Sequence, residues 1–202
     1  MTHSKKYLFI GAHTDDIELS CGGTIAKLIE QGHDVRCYVF SYCDNMTLLL
    51  EHQKSMNLLG VKNYVLNTYD NRTMEYYRQN ILDDLTLYKQ SYYPDYVFTH
   101  DETDLHQDHR VVALETLRAF KFFNVITYIN AWNAPTQSPN YFIPISKGHL
   151  DLKISALQQY ESQSHKAYMY EDMIVANTTY WTNKCPFQHY AEAFTIKSWY
   201  EE

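Results

Sequence analysis

The fold is decided by Tyr7-Leu8-Phe9-Ile10-Gly11-Ala12-His13-Thr14-Asp15-Asp16, where an apolar run leads directly into one imidazole and two adjacent carboxylates. An apolar run of this length predicts a buried strand. Ligands of an open α/β sheet bind at the carboxyl ends of its strands. We therefore expect His13, Asp15 and Asp16 to lie at a ligand site.

A second polar cluster, His106-Gln107-Asp108-His109, follows another predicted strand over residues 96–99. The carboxyl ends of parallel strands meet at one edge of a sheet, so both clusters should lie at the same edge. We interpret the two clusters as the two halves of one metal site.

Strand-like and helix-like segments alternate through the first 130 residues of the chain. This alternation predicts a mostly parallel sheet with helices on both faces. The predicted fold is α/β, a Rossmann-like three-layer sandwich that forms a single domain over residues 1–202. Strands are predicted over residues 7–10, 35–41, 64–66, 96–99 and 125–129, and helices over residues 22–31, 48–59, 74–90 and 110–120.

The rest of the chain is less regular. Residues 130–148 contain several prolines and predict a loop. Residues 150–167 predict a helix, and residues 187–196 predict a last strand at one edge of the sheet.

Composition excludes several classes of partner. The chain has 202 residues and a formal net charge of −7, which argues against a nucleic-acid surface. Its apolar runs are too short to cross a bilayer or to form a signal peptide, so we expect a cytoplasmic protein without a membrane span. The 19 tyrosines suit sugar surfaces and subunit interfaces, and a homo-oligomer stays an open alternative.

The first cluster has the atom types and the spacing of a zinc site. His13 and Asp16 are three residues apart, so a tight turn can aim an imidazole nitrogen and a carboxylate oxygen at one Zn²⁺ ion. Asp15 could then take a proton from a water on the metal. A catalytic zinc site has three protein ligands and an open position, and either His106 or His109 would complete the set.

Asp108 lies between those two histidines and has two interpretations. It orients an imidazole, as carboxylates behind metal ligands do. Alternatively, it caps the N-terminus of a helix that starts near His109.

Together these motifs resemble the PIG-L/LmbE-like family of zinc-dependent N-deacetylases, which implies an LmbE-like fold. The family motif Ala-His-Pro-Asp-Asp-Glu corresponds to Ala12-His13-Thr14-Asp15-Asp16-Ile17-Glu18, and the motif His-x-Asp-His corresponds to His106-Gln107-Asp108-His109. Further similarity lies in Cys21-Gly22-Gly23-Thr24-Ile25, in Lys153-x-x-Ala156-Leu157-x-x-Tyr160-x-Ser162-Gln163, and in Tyr190-Ala191-Glu192-Ala193-Phe194.

The resemblance implies which residues bind the metal and which one is the base. His13, Asp16 and His109 would hold Zn²⁺, and Fe²⁺ fits the same ligands. Asp15 would be the general base.

The resemblance also implies the reaction. His106 would face the substrate, either as a general acid or as a cation that stabilises the oxyanion, and Asp108 would tune it. The implied substrate is a small molecule, a 2-acetamido sugar such as an N-acetylglucosamine derivative. Hydrolysis of its N-acetyl group would release acetate and a free amine.

The chain departs from the family pattern in ways that bear on substrate binding. Ile17 stands where the family has an acid, and Glu18 follows one place later. The family often has an arginine in the region that corresponds to residues 47–50, and this chain has none there. Arg72 is our candidate replacement as a substrate contact, and Asp70 beside it is a second expected contact; a surface ion pair between the two is the alternative.

Two other functions would use the same residues. Two histidines and one carboxylate also form the metal triad of non-haem iron oxygenases, although an oxygenase needs no hydrolytic base such as Asp15. A non-catalytic sugar-binding member of the same fold is the second alternative. The missing arginine and the displaced Glu18 favour it, whereas the intact set of histidines and aspartates opposes it.

Overall fold

The chain folds around one mixed sheet in the computed structural model, which describes residues 4–128, 130–133, 138–185 and 189–200. Within these residues the sheet has seven strands in the order β3-β2-β1-β4-β5-β7-β6. Strands β1 to β5 are parallel, and β7 runs antiparallel to β5 and β6. The strands are β1 (Lys6–His13), β2 (Asp34–Ser41), β3 (Asn63–Leu66), β4 (Tyr96–His100), β5 (Asn124–Tyr128), β6 (Tyr141–Ile145) and β7 (Tyr190–Ser198).

Helices cover both faces of the sheet because side chains alternate along its strands. The helices are α1 (Asp16–Glu30), α2 (Met46–Leu59), α3 (Arg78–Ser91), α4 (Gln107–Ala119), α5 (Lys147–Leu157) and α6 (Glu171–Tyr180). On β1, Phe9 packs with apolar residues of α1 and α2, whereas Leu8 and Ile10 pack with those of α3 and α4. The predicted α/β sandwich with a mostly parallel sheet is confirmed. None of these helices is long and apolar enough to cross a membrane.

The chain reverses its direction across the sheet at β1. It winds outward from β1 to β2 and β3, returns to β4 on the other side of β1, and continues to β5. Parallel sheets form a crevice at the carboxyl ends of the two strands where the order reverses. β1 ends at His13 and β4 ends at His100, so both histidines lie at this crevice.

Helix α1 begins six residues before its predicted start, at Asp16 rather than at residue 22. Its first turns bury polar side chains, among them Asp16 and Glu18. Hydrophobic periodicity cannot detect a buried face that is polar, which explains the error.

Helix α4 also begins early, at Gln107 instead of residue 110. Its N-cap is His106, whose side chain accepts a hydrogen bond from the backbone N–H of Asp108. The interpretation of Asp108 as the N-cap was therefore wrong, because its carboxylate is engaged elsewhere.

The helix predicted over residues 150–167 is shorter than expected. It is α5, which ends at Leu157 because the chain turns there and buries Tyr160 in the core. The rest of the predicted helix forms 3₁₀ turns, and α6 was not predicted. The helix predicted over residues 74–90 likewise starts with a 3₁₀ turn before α3.

The prediction of a loop over residues 130–148 was wrong, because this region contains β6. Pro144 argued against a strand, but β6 is the edge of the sheet, where proline is tolerated. Because β6 occupies the edge, β7 lies inside the sheet, and the prediction that this last strand forms an edge was wrong. Residue 129 of one predicted strand, and residues 187–188 of another, lie outside the described residues.

A buried ion pair connects α1, α5 and β7. Lys153 Nζ donates to Glu192 Oε1 at 2.6 Å, and each side chain is 2% exposed. Glu192 also accepts hydrogen bonds from the backbone N–H groups of Gly23 at 3.0 Å and Thr24 at 2.7 Å. The close approach of the helices favours glycine, since a Cβ at Gly22 would lie 3.0 Å from Lys153 Cγ.

Replacing Lys153 by Met should destabilise the fold by about 3–5 kcal/mol, because the Glu192 carboxylate would stay buried without its partner. The double variant Lys153→Met, Glu192→Gln should recover part of this loss, since an amide oxygen still accepts from the backbone of α1. Urea unfolding followed by circular dichroism measures the free energy of unfolding of both variants. Lys147→Met is the matched control on α5; its ion pair with Asp151 is exposed, so stability should hardly change. A Lys153→Met protein as stable as the parent would contradict this account.

Candidate active site

The first polar cluster forms a tight turn between β1 and α1. Asp16 Oδ2 accepts a hydrogen bond from the backbone N–H of His13 at 2.8 Å, which closes the turn. Asp15 is the N-cap of α1 and has a φ of 81°, in the left-handed region that Asp tolerates better than most residues. All three side chains line one cavity.

The second polar cluster reaches the same cavity from the start of α4. The ring centroid of His13 lies 5.0 Å from that of His106 and 5.4 Å from that of His109. The rings of His106 and His109 stack at 4.4 Å. The structure thus brings the two clusters together, although nearly the whole first half of the chain separates them.

His13 and His109 each have one ring nitrogen close to a carboxylate behind the ring and the other ring nitrogen facing Asp16. His13 Nε2 lies 3.1 Å from Asp108 Oδ2, and His109 Nδ1 lies 2.9 Å from Asp104 Oδ2. A ring nitrogen that donates its proton to a carboxylate leaves the other nitrogen with a lone pair. Those other nitrogens, His13 Nδ1 and His109 Nε2, lie 3.4 Å and 3.3 Å from oxygens of Asp16.

These separations fit a tetrahedral divalent cation. Ligand atoms that are each about 2.0–2.1 Å from Zn²⁺ lie about 3.3–3.4 Å apart at the corners of a tetrahedron. His13 Nδ1 lies at such a distance from Asp16 Oδ2, and His109 Nε2 lies at such a distance from the other oxygen of the same carboxylate, Oδ1. Because all three residues line the cavity, a small molecule in the cavity would also reach a cation held there.

A further histidine, His100, lies beside these donors and was not among the predicted site residues. It is fully buried, and its Nε2 lies 3.3 Å from Asp16 Oδ2. The same Nε2 accepts a hydrogen bond from the backbone N–H of Ala12 at 3.0 Å, so its lone pair is already engaged. His100 is also outside the cavity wall, and its hydrogen bond with Ala12 ties the end of β4 to β1.

Charge in the site is arranged to favour a cation between carboxylates. Burial by itself would lower the pKa of the imidazoles, but the neighbouring carboxylates outweigh it and raise the pKa of His13 to about 9 and that of His109 to about 10. Burial would raise the pKa of Asp16, but the charges of His109 and His100 hold it well below its usual range. A divalent cation would supply the positive charge that these carboxylates favour.

The pKa of Asp15 is shifted in the opposite direction from that of Asp16, and the pKa of His106 in the opposite direction from those of His13 and His109. Burial, together with the charge of Asp16, raises the pKa of Asp15 well above its usual range. Burial and the charge of His109 lower the pKa of His106 to about 4. His106 Nδ1 accepts a hydrogen bond from the backbone N–H of Asp108 at 3.2 Å, so a neutral His106 ring carries its proton on Nε2.

Asp108 contacts a different histidine from the one that the resemblance implied. Its carboxylate hydrogen-bonds His13 and not His106, because residues two apart at the start of a helix do not face each other. It also accepts hydrogen bonds from the backbone N–H groups of Arg72 at 2.6 Å and Met74 at 3.3 Å. Asp108 therefore orients a donor ring and ties the loop before α3 to the site.

The two residues expected to contact substrate are placed differently. Arg72 lines the cavity, whose volume is about 240 Å³. Asp70 is not part of the wall; its carboxylate accepts a hydrogen bond from the Tyr77 hydroxyl at 3.1 Å. Arg72 and Asp70 form no ion pair within the part of the chain that the structure describes. Leu48, from the region where an arginine was expected, forms part of the wall.

A buried hydroxyl that we had not assigned to the site supports Asp15. Tyr160 accepts a hydrogen bond from the backbone N–H of Asp15 at 3.2 Å and donates to Glu18 Oε1 at 2.6 Å. Glu18 also accepts from the Ser55 hydroxyl at 2.8 Å, and His52 Nδ1 lies 2.8 Å from the Tyr160 hydroxyl. The signal was present in the sequence, since Tyr160 belongs to a stretch that resembles the family.

Known proteins resemble this chain in sequence. A model of the PIG-L family, described as GlcNAc-PI de-N-acetylase, matches residues 8–120, which is more than half of the chain. The uncharacterized deacetylase YaiS of Escherichia coli (strain K12) is 27% identical over 179 residues, covering 78% of this chain and 91% of YaiS.

Solved structures share the fold. The N,N'-diacetylchitobiose deacetylase of Pyrococcus horikoshii superposes with a TM-score of 0.78 at 23% identity, covering 96% of this chain and 84% of that one. GalB, the 4-carboxy-2-hydroxymuconate hydratase of Pseudomonas putida KT2440, superposes with a TM-score of 0.75 at 17% identity, covering 98% of each chain. Identities this low establish the fold alone, and one fold can host more than one reaction.

Replacing Tyr160 by Phe should lower the free energy of unfolding by about 1–3 kcal/mol, because the Asp15 N–H and the Glu18 carboxylate each lose a buried partner. Urea denaturation measures this loss. Tyr170→Phe is the matched control, since Tyr170 is 49% exposed and should be replaceable at little cost. Equal stability of the two variants would show that the Tyr160 hydroxyl does not support the turn.

Proposed function

This chain belongs to the PIG-L family of de-N-acetylases, and from that membership we propose that it is a zinc-dependent hydrolase that removes the N-acetyl group of a 2-acetamido sugar or sugar conjugate. The observation that carries the proposal is the meeting of His13, Asp16 and His109 at one cavity, with Asp15 in the same wall. The products are acetate and a free amine.

The metal would be held by His13, Asp16 and His109, whose donor atoms have the separations described above. A bound Zn²⁺ supplies Lewis acidity, which lowers the pKa of a coordinated water to about 7 and polarises a carbonyl. Fe²⁺ suits the same ligands. Asp108 and Asp104 hold the two imidazoles in the tautomers that leave the donor nitrogens free.

Asp15 is the proposed general base. Its carboxylate lines the cavity, and the Tyr160 hydroxyl fixes its backbone. A base in amide hydrolysis takes a proton from water and then delivers one to the leaving nitrogen. A buried carboxylate beside another carboxylate holds a proton more readily than an exposed one, which suits the second half of this task, the delivery of a proton to the leaving nitrogen.

His106 is the proposed donor to the carbonyl oxygen. Its Nδ1 is engaged by the backbone of Asp108, so the Nε2–H is the group available to substrate. The negative charge that develops on a carbonyl oxygen is stabilised by a fixed N–H donor, and one such donor is worth about 10²–10³ in rate. We propose Arg72 as a substrate contact and Asp108 as a positioning residue for His13.

The two alternatives differ from the proposal in measurable ways. An iron oxygenase would use the same ligands but consume oxygen, and it would have no use for Asp15. A non-catalytic member would bind an acetamido sugar and release no acetate. Family membership and the buried Asp15 both favour the hydrolase.

The Asp15→Asn variant should lose about 10²–10⁴-fold in kcat, because an amide cannot accept the proton. It should keep its metal and its backbone, since Asn tolerates the left-handed conformation as well as Asp does. Acetate release from a panel of N-acetylglucosamine derivatives measures turnover, and mass spectrometry of the protein-bound metal measures occupancy.

Asp44→Asn is the matched control, because Asp44 is an exposed aspartate with a φ of 48° in a neighbouring loop. It should leave turnover unchanged. An Asp15→Asn enzyme as active as the parent would refute the assigned base. A metal-loaded parent that releases no acetate from any acetamido sugar would favour the non-catalytic alternative.

Metal binding should depend on both the donor and the carboxylate behind it. His109→Ala should lose the bound metal after dialysis, and Asp104→Asn should bind it about 10–100-fold more weakly. Titration calorimetry with Zn²⁺ measures both. His165→Ala, an exposed histidine, serves as the control and should bind like the parent. Retention of metal by His109→Ala at the parent level would remove His109 from the ligand set.

A further inference from the structure

A buried histidine outside the cavity is connected to the proposed base through one hydroxyl group. His52 lies on α2, is fully buried and does not line the cavity. Its Nδ1 lies 2.8 Å from the Tyr160 hydroxyl, and that hydroxyl accepts a hydrogen bond from the backbone N–H of Asp15 at 3.2 Å. A residue of α2 therefore reaches the N-cap of α1 through a residue that follows α5.

The surroundings of His52 decide which ring nitrogen carries the proton. Nε2 is buried and has no hydrogen-bond partner among the described residues; the Tyr64 ring packs edge-to-face against the imidazole at 5.4 Å. A proton on Nε2 would therefore lack an acceptor, in a neutral ring and in a doubly protonated one.

The neutral ring with its proton on Nε2 has a second fault. Nδ1 would then have to accept the single proton of the Tyr160 hydroxyl. Glu18 also needs that proton, because its Oε1 lies 2.6 Å from the same hydroxyl oxygen. The His52 ring is therefore neutral, carries its proton on Nδ1 and donates it to Tyr160.

This assignment uses every hydrogen-bonding position of the Tyr160 hydroxyl. A hydroxyl has one proton to donate and two lone pairs that accept. The proton goes to Glu18, and the lone pairs accept from His52 Nδ1–H and from the Asp15 N–H. His52 thus fixes the position of the oxygen and the direction of its proton, which keeps one lone pair aimed at Asp15.

Asp15 depends on outside support because of its backbone. Its φ is 81°, and no side chain caps the N-terminus of α1 at this residue. A left-handed residue other than glycine persists only where the surrounding contacts hold it. Its carboxylate is the proposed base, and a displacement of about 1 Å at a reacting group can lower the rate about 100-fold.

We propose that His52 is a positioning residue for the base Asp15 and that it acts through the Tyr160 hydroxyl. This inference rests on the proposed function and deepens it. A purely structural His52 would fill space beneath α2 and would affect folding alone. The two roles predict different orders of activity and stability among variants of residue 52.

The first test separates hydrogen bonding from packing. The His52→Leu variant fills the space of the ring without a donor, so it should lose about 10–100-fold in kcat on N-acetylglucosamine derivatives, with KM and bound zinc close to those of the parent. The His52→Asn variant places an amide nitrogen as far along the side chain as Nδ1, so it should keep most of the parent kcat. Circular dichroism under the assay conditions checks that both variants are folded.

Stability should follow the opposite order. The His52→Asn variant leaves a cavity, so it should unfold at a lower urea concentration than the His52→Leu variant. The more active variant is then the less stable one, an order that a packing role cannot produce. A His52→Leu enzyme at least as active as His52→Asn would overturn the proposal.

A double-mutant cycle tests whether the effect passes through Tyr160. Tyr160→Phe should lower kcat to a similar extent, and adding His52→Leu to it should change kcat by less than about twofold. Ser162→Ala is the matched control. It removes a hydrogen bond to Glu51 at 2.7 Å that also joins α2 to the segment after α5, so kcat should stay near that of the parent. Losses that multiply in the double variant would overturn the route through Tyr160.

Two measurements need no turnover and therefore separate this inference from the proposed function. Nitrogen NMR of isotope-labelled histidine rings in the zinc-loaded protein should show the His52 proton on Nδ1. Hydrogen exchange of the Asp15 amide, relative to the amides of β4 that report global unfolding, should become about tenfold faster in His52→Leu.

Both results can appear even if no acetamido sugar is hydrolysed. In that case the proposed function fails, and the support of Asp15 by His52 stands. A His52 proton on Nε2, or an Asp15 amide whose exchange is unchanged in His52→Leu, would overturn the inference while leaving the deacetylase intact.

Discussion

The Asp16 carboxylate is the group on which the rest of the site depends. It closes the turn after β1, it faces the free nitrogens of His13 and His109, and it lies 3.3 Å from His100 at the end of β4. A carboxylate that is 4% exposed is stable only when opposite charge or hydrogen bonds surround it. The ends of β1 and β4 and the start of α4 therefore have to meet at this point.

The fold supports that meeting with buried polar contacts on the far side of α1. Lys153 and Glu192 hold the middle of the helix, and Glu18 and Tyr160 hold its start. Left-handed residues occur at the cavity wall, at Asp15 and Arg72 among others. Strained backbone of this kind persists only where surrounding contacts over-determine it. These contacts keep the carboxylates and imidazoles in place around the cavity.

The polar clusters and the mostly parallel sheet could be predicted because both leave local signals. Apolar runs that end in His13 or shortly before His106 identify strand ends, and the alternation with helices predicts a parallel sheet. The partners of the histidines left no such signal. Asp104 contacts His109, and Asp108 contacts His13, through the direction of side chains at the start of α4, which spacing alone does not determine. The start of α1 was missed because its buried face is polar, and β6 was missed because an edge strand can hold Pro144.

The most direct test of the account is a crystal structure of the zinc-loaded protein with anomalous diffraction collected at the zinc edge. We expect one peak in the cavity, bonded to Nδ1 of His13, to the carboxylate of Asp16 and to Nε2 of His109. A peak held by other side chains, or a cavity without zinc in protein that binds it in solution, would contradict the site on which the proposed chemistry rests.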